Sequence, residues 1–176
     1  MARIGKKLIQ IPDKVKVAYA DKCITVTGSN GTLTRDLHQD IDLKIENGTI
    51  SVVAANNQRE TLAFQGLVRA LVNNMIQGVD KKFERSLEIN GIGYKVEIKG
   101  ENVLLNIGFS HPIEFPLPQG VSAKVDKNVL TLSSIDKELL GNTAASIRRL
   151  KPPEPYKGRG IKYVDEHIQR KAGKTA

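Results

Sequence analysis

Lys157, Arg159 and Lys162 are interleaved with Gly158 and Gly160 between Tyr156 and Tyr163, in the stretch PPEPYKGRGIKY at residues 152–163. Such a pattern suits contact with a phosphate backbone. Cationic side chains neutralise phosphate oxygens, glycines without a Cβ let backbone N–H groups come close, and tyrosine rings offer faces on which bases stack. Upstream, Pro152, Pro153 and Pro155 hold φ at about −65° and stop a preceding helix, so the chain leaves it stiff, with little conformational entropy to lose on binding. A basic, aromatic arm on such a root fits the wide minor groove and splayed loops of folded RNA. A tail kept only for solubility needs its lysines but neither prolines nor tyrosines.

The charge distribution points the same way. The 176 residues carry 27 Lys and Arg against 19 Asp and Glu, a formal charge of +8 with a pI near 9.6, so an anionic partner is expected. Residues 1–81 contribute +3, residues 82–146 contribute −1, and residues 147–176 contribute +6. The bases of that last segment are Arg148, Arg149, Lys151, Lys157, Arg159, Lys162, Arg170, Lys171 and Lys174, against Glu154, Asp165 and Glu166. Arg148 and Arg149 also end a predicted helix, where the helix dipole favours cations.

Other chemistries find no support in the spacing. GKT at 173–175 resembles the end of a phosphate-binding loop, but Ile168 stands where that motif needs glycine. His38, His111 and His167 lie in separate segments and bring together no nucleophile, base and orienting acid. Cys23 is the only cysteine, which excludes a disulfide framework and a structural zinc site and suggests a reducing compartment. It reads as a small, partly buried strand residue. The start MARIGKKLIQIP has no apolar h-region and no apolar run approaches about 18 residues, so neither a signal peptide nor a membrane span is expected. No metal, cofactor or catalytic centre is predicted, and the chain is expected in the cytoplasm.

The elements that must carry the arm are legible as alternation and helical periodicity. Val15–Val17, Ile24–Thr27 and Ile41–Ile45 alternate apolar with polar residues, and Asn30-Gly31 and Asn47-Gly48 predict hairpin turns. The turn reading also accounts for Asn47-Gly48-Thr49, which otherwise matches a glycosylation acceptor. From Thr61 to Gly78, Phe64, Leu67, Val68, Leu71, Val72, Met75 and Ile76 recur at helical spacing, with Gly78 at the expected C-terminal cap. The stripe predicts core packing for Phe64, Leu67 and Met75, with Arg69 and Asn73 on the opposite face.

A shift of 80 positions repeats the pattern: Gly28 falls on Gly108, Leu33 on Ile113, Leu37 on Leu117, Ile41 on Val121, Ile45 on Val125 and Ile50 on Leu130. In the helices the shift is 79, placing Arg69 on Arg148. The expected fold is therefore α+β: two tandem duplicated domains, each a small, mostly antiparallel sheet unit on one helix, followed by an extended basic tail. The expected bounds are residues 1–81, 82–151 and 152–176, with the boundary between repeats near Val79–Arg85. Removal of residues 152–176 is expected to leave a folded body.

PPEPYKGRGIKY, GIGYK at 91–95, SHPI at 110–113 and DKELLG at 136–141, on this duplicated layout, resemble the family of bacterial large ribosomal subunit protein six over essentially the whole chain. Lys151 stands where the family usually has Arg, and Arg159 where it usually has Lys. Charge is kept, while the hydrogen-bonding fork and the point donor are exchanged. The resemblance implies two small sheets and one helix per half. It also implies a non-enzymatic role: binding large-subunit ribosomal RNA mainly through the C-terminal domain and tail. That site would lie close to where GTP-hydrolysing translation factors engage and beside neighbouring large-subunit proteins. The candidate RNA-contacting residues are Arg148, Arg149, Lys151, Tyr156, Lys157, Gly158, Arg159, Gly160, Lys162, Tyr163, Arg170, Lys171 and Lys174, with Tyr94 and Lys95 of GIGYK. A protein-docking module using sheet edges or helix faces is the competing expectation.

Overall fold

Short alternating segments pair locally because two-residue turns bring their ends together. β2 (Lys16–Ala20) and β3 (Cys23–Gly28) are joined through Asp21 and Lys22, both at positive φ, and β3 pairs on its other side with β4 (Gly31–Asp36). These strands belong to a computed structural model that describes residues 5–46 and 48–174. The chain divides into two units, Met1–Lys82 with Ile135–Lys137, and Phe83–Ser134 with Glu138–Ala176.

In the first unit a second sheet has the order β1 (Ile9–Gln10), β6 (Thr49–Ala54), β5 (Ile41–Glu46), and α1 spans Arg59–Asp80. All pairings are antiparallel. Gly48 has the expected positive φ, while Asn47 lies outside the described residues. Asn30 does more than turn the chain. Its backbone N–H donates to the Val79 carbonyl at 3.1 Å and its Nδ2 to the Asp80 carbonyl at 2.8 Å. Those last carbonyls are thereby satisfied, and α1 runs past Gly78, which is buried inside the helix rather than capping it.

Ile24, Val26, Ile41, Ile50, Val72 and Val79 fill the core of this unit together with Val68, Met75 and Ile76. Phe64 and Leu67 do not join them. They are 37% and 52% exposed, because the inward stripe runs through Thr61, Gln65, Val68, Val72 and Met75 instead. Gln65 takes an inward position because its Nε2 donates to the Val52 carbonyl at 2.7 Å, leaving no unsatisfied amide. Phe64 stacks on His38, ring centroids 4.4 Å apart. Cys23 is half-buried in β3.

The second unit has the same kind of construction. β8 (Lys95–Lys99), β9 (Asn102–Asn106) and β10 (Ile113–Pro116) form one sheet, and α2 spans Lys137–Leu150. A four-stranded sheet has the order β11 (Val121–Asp126), β12 (Val129–Ser134), β7 (Phe83–Asn90), β13 (Gly160–Tyr163). β5 and β11 begin 80 residues apart, as do β6 and β12. Leu87, Ile89, Leu105, Leu130, Leu132, Ala144 and Ile147 make the core, joined by Ile161 of β13.

β13 is the departure from the sequence reading. The segment 160–163, expected in an extended arm, is an edge strand antiparallel to β7. Ile161 is 0% exposed, so β13 is part of the body.

Candidate nucleic-acid interface

The chain turns out of α2 and returns to the sheet by folding back on itself. Ile161 N–H donates to the Lys151 carbonyl at 2.8 Å and Glu154 N–H to the Arg159 carbonyl at 2.9 Å, closing a loop over the turn that holds Tyr156 and Lys157. The prolines brace one strand of this loop rather than a free arm. Gly160 is required by packing: its φ is +134°, and a Cβ there would lie 2.6 Å from the Pro152 carbonyl oxygen. Gly158, at φ +70°, lies under the Arg170 guanidinium, with Nη2 3.5 Å from where a Cβ would be. Lys171 N–H donates to the Pro155 carbonyl at 2.9 Å, which ties the following segment to the loop.

Several expected contact residues are engaged inside the unit. Arg148 makes a two-pronged ion pair with Glu166, through Nε to Oε2 at 2.8 Å and through Nη2 to Oε1. The Arg148 hydrogen bond holds the Glu166 carboxyl below its ordinary range, against the opposing effect of partial burial. Lys162 pairs with Glu88 at 2.9 Å, and that contact likewise lowers the Glu88 carboxyl. Tyr163 has the Arg85 and Arg148 guanidinium carbons 4.7 and 5.7 Å from its ring centroid, and Arg85 also meets Asp165. The ring is covered by protein cations.

Lys151 is also spoken for. Its Nζ donates to the Ile107 carbonyl at 2.9 Å and sits 5.3 Å from the Tyr94 ring and 4.8 Å from the Phe109 ring. Tyr94 lies against Gly91, where a Cβ would come 2.4 Å from the tyrosine Cδ2, so the glycine of GIGYK makes room for that ring. Lys95 is exposed at the start of β8.

Another group faces outward. Arg149, Lys157, Arg159, Arg170, Lys171 and Lys174 are exposed, and none forms an ion pair among the described residues. Tyr156 is 56% exposed. The acids of the last segment are thus spent mainly on Arg148 and on Arg85, a base outside that segment. Of these cations, the spacing KGR marks Lys157 and Arg159. No local pattern relates Arg85, Glu88 and Ile92 to the loop, because that relation depends on β13 pairing with β7. Among the described residues no group of His, Cys, Asp and Glu is arranged to hold a metal, and no helix is long and apolar enough to cross a membrane.

Comparison with known proteins gives a consistent result. The family described as Ribosomal protein L6 matches residues 11–82 and 90–164, one stretch in each unit. The chain is 70% identical over 175 residues to the large ribosomal subunit protein uL6 of Desulfosudis oleivorans, with 99% of both chains covered. It is 58% identical to the protein of that name from Desulfatibacillum aliphaticivorans, again over 99% of both chains. With that of Geobacter metallireducens the identity is 52%, over 99% of this chain and 98% of the relative.

Proposed function

The chain belongs to the ribosomal protein L6 family, and on that premise we propose that it is a structural, non-enzymatic constituent of the large ribosomal subunit in the bacterial cytoplasm. It binds large-subunit ribosomal RNA chiefly through the C-terminal unit and the loop that follows α2. The observation that carries this reading is the set of exposed cations without acidic partners, gathered where Lys157, Arg159 and Arg170 share one depression. Arg149, Lys171 and Lys174 extend the contact, Tyr156 offers a stacking face, and Lys95 adds charge from β8. Arg148, Lys151, Lys162 and Tyr163 shape the surface, and their polar edges touch RNA only where their own partners leave them open. Gly158 and Gly160 hold the loop.

Within this proposal the chain comprises a repeat at 1–81, a repeat at 82–151 descended from the same ancestor, and a basic segment at 152–176. Its place is near the region engaged by GTP-hydrolysing translation factors, beside other large-subunit proteins. The exposed Phe64 and Leu67 on α1 support a protein neighbour on the first unit.

The test is binding of the full chain to purified large-subunit ribosomal RNA across a salt series. With about five phosphates neutralised, log K falls against log salt with a slope of roughly −3.5 to −4.5. Affinity that ignores salt contradicts the proposal. A pull-down that keeps all its partners after ribonuclease treatment favours the protein-docking alternative.

A further inference from the structure

Three stretches meet at one depression of about 280 Å³: Ile92 from the loop after β7, far upstream in the sequence, Lys157, Gly158 and Arg159 from the turn, and Arg170 from the last segment. Main-chain hydrogen bonds hold the parts in place, from Glu154 to Arg159 and from Lys171 to Pro155. No carboxylate lines it among the described residues. Three cations around one hollow repel each other, and a bound anion relieves that repulsion. The adjoining depression shares Gly158 and Arg170 but is lined by Glu166, which offsets its charge. At the rim Ile92 is 86% exposed, a large aliphatic side chain held in water beside cations.

We infer that this depression seats a single nucleotide unit of an RNA strand, with its phosphate among Lys157, Arg159 and Arg170 and the apolar face of its sugar or base against Ile92. The inference rests on the RNA-binding reading above and adds to it a defined receptor. A diffuse basic surface needs only charge. A seat needs charge and an apolar wall together, and the wall comes from a loop that carries no cation at that position. Phosphate contacts set register without reading sequence, whereas a nucleoside lying on an aliphatic wall contributes affinity that salt does not weaken.

The experiment uses the full chain, purified large-subunit ribosomal RNA and four proteins: wild type, Ile92→Ala, Arg170→Ala and the double variant. Both side chains are exposed, so the variants fold, which circular dichroism checks. Arg170→Ala is expected to flatten the salt slope by about 0.7 to 0.9, one phosphate contact. Ile92→Ala is expected to weaken binding about 5-fold at every salt concentration with the slope unchanged, from the apolar area that the nucleoside no longer covers. The double variant is expected to lose less than the product of the single losses, because both residues hold the same nucleotide. Unchanged affinity in Ile92→Ala, or losses that multiply within 2-fold, overturns the seat while a salt-dependent wild type keeps the RNA-binding reading. A wild type without salt-dependent affinity overturns both.

Discussion

At the scale of residues, the functional stretch serves two masters. The sequence pattern offers Gly160 as a place for phosphate to approach, and the structure gives it a tighter reason in the Pro152 carbonyl. Gly160→Ala is expected to cost about 2 to 4 kcal/mol, from the strained φ and the overpacking together. Thermal unfolding checks it, and an unchanged melting temperature contradicts the geometry. Glu166 gives a second residue-scale prediction. Its carboxyl titrates lower folded than unfolded because Arg148 stabilises the charged form. Its contribution is therefore complete above the unfolded value, about 4.3, and is lost as pH falls through the lower folded one. Glu166→Gln should lower stability at neutral pH by about 1 kcal/mol, a modest figure for a partly exposed pair. It should also shrink the loss of stability in acid, leaving the parts due to Glu88 and Asp42, which have the same sign. Identical pH profiles for variant and wild type would sink this account.

At the scale of elements, the deciding feature is β13. Residues 160–163 complete a four-stranded sheet and place Ile161 in the core. Removal of residues 152–176 therefore does more than discharge the protein. It uncovers the β7 edge and opens a cavity, and a large-to-small change at such a site alone costs about 2 to 5 kcal/mol. The truncated chain is expected to melt well below wild type and to expose apolar surface to a dye such as ANS. An unchanged melting temperature would make β13 dispensable. Much of the rest is legible: alternation marks β3 and β5, the 80-residue shift carries β5 onto β11 and Ile50 of β6 onto Leu130 of β12, and the 3.6 period marks α1. β13 escaped because GIKY is short, follows prolines and glycines, and pairs with a strand some 70 residues upstream, a partner no local pattern names. Phe64 and Leu67, which the helical stripe predicts for the core, are exposed for a related reason. The helical stripe is wide in sequence, and which part of it faces inward was decided by Gln65 finding the Val52 carbonyl.

At the scale of the molecule, charge is sorted rather than merely abundant. The net +8 resides largely in the last thirty residues, where Arg148 pairs with Glu166 and Lys162 with Glu88, while Arg149, Lys157, Arg159, Arg170, Lys171 and Lys174 form no ion pair among the described residues. The central claim is that those bare cations grip ribosomal RNA. Its most direct measurement is photo-crosslinking of RNA to protein in assembled large subunits, with crosslinked peptides mapped along the chain. The account predicts that peptides spanning Arg149 to Lys174, with those around Ile92, dominate the map. A map confined to the first unit, with residues 149–174 free of RNA, would contradict it.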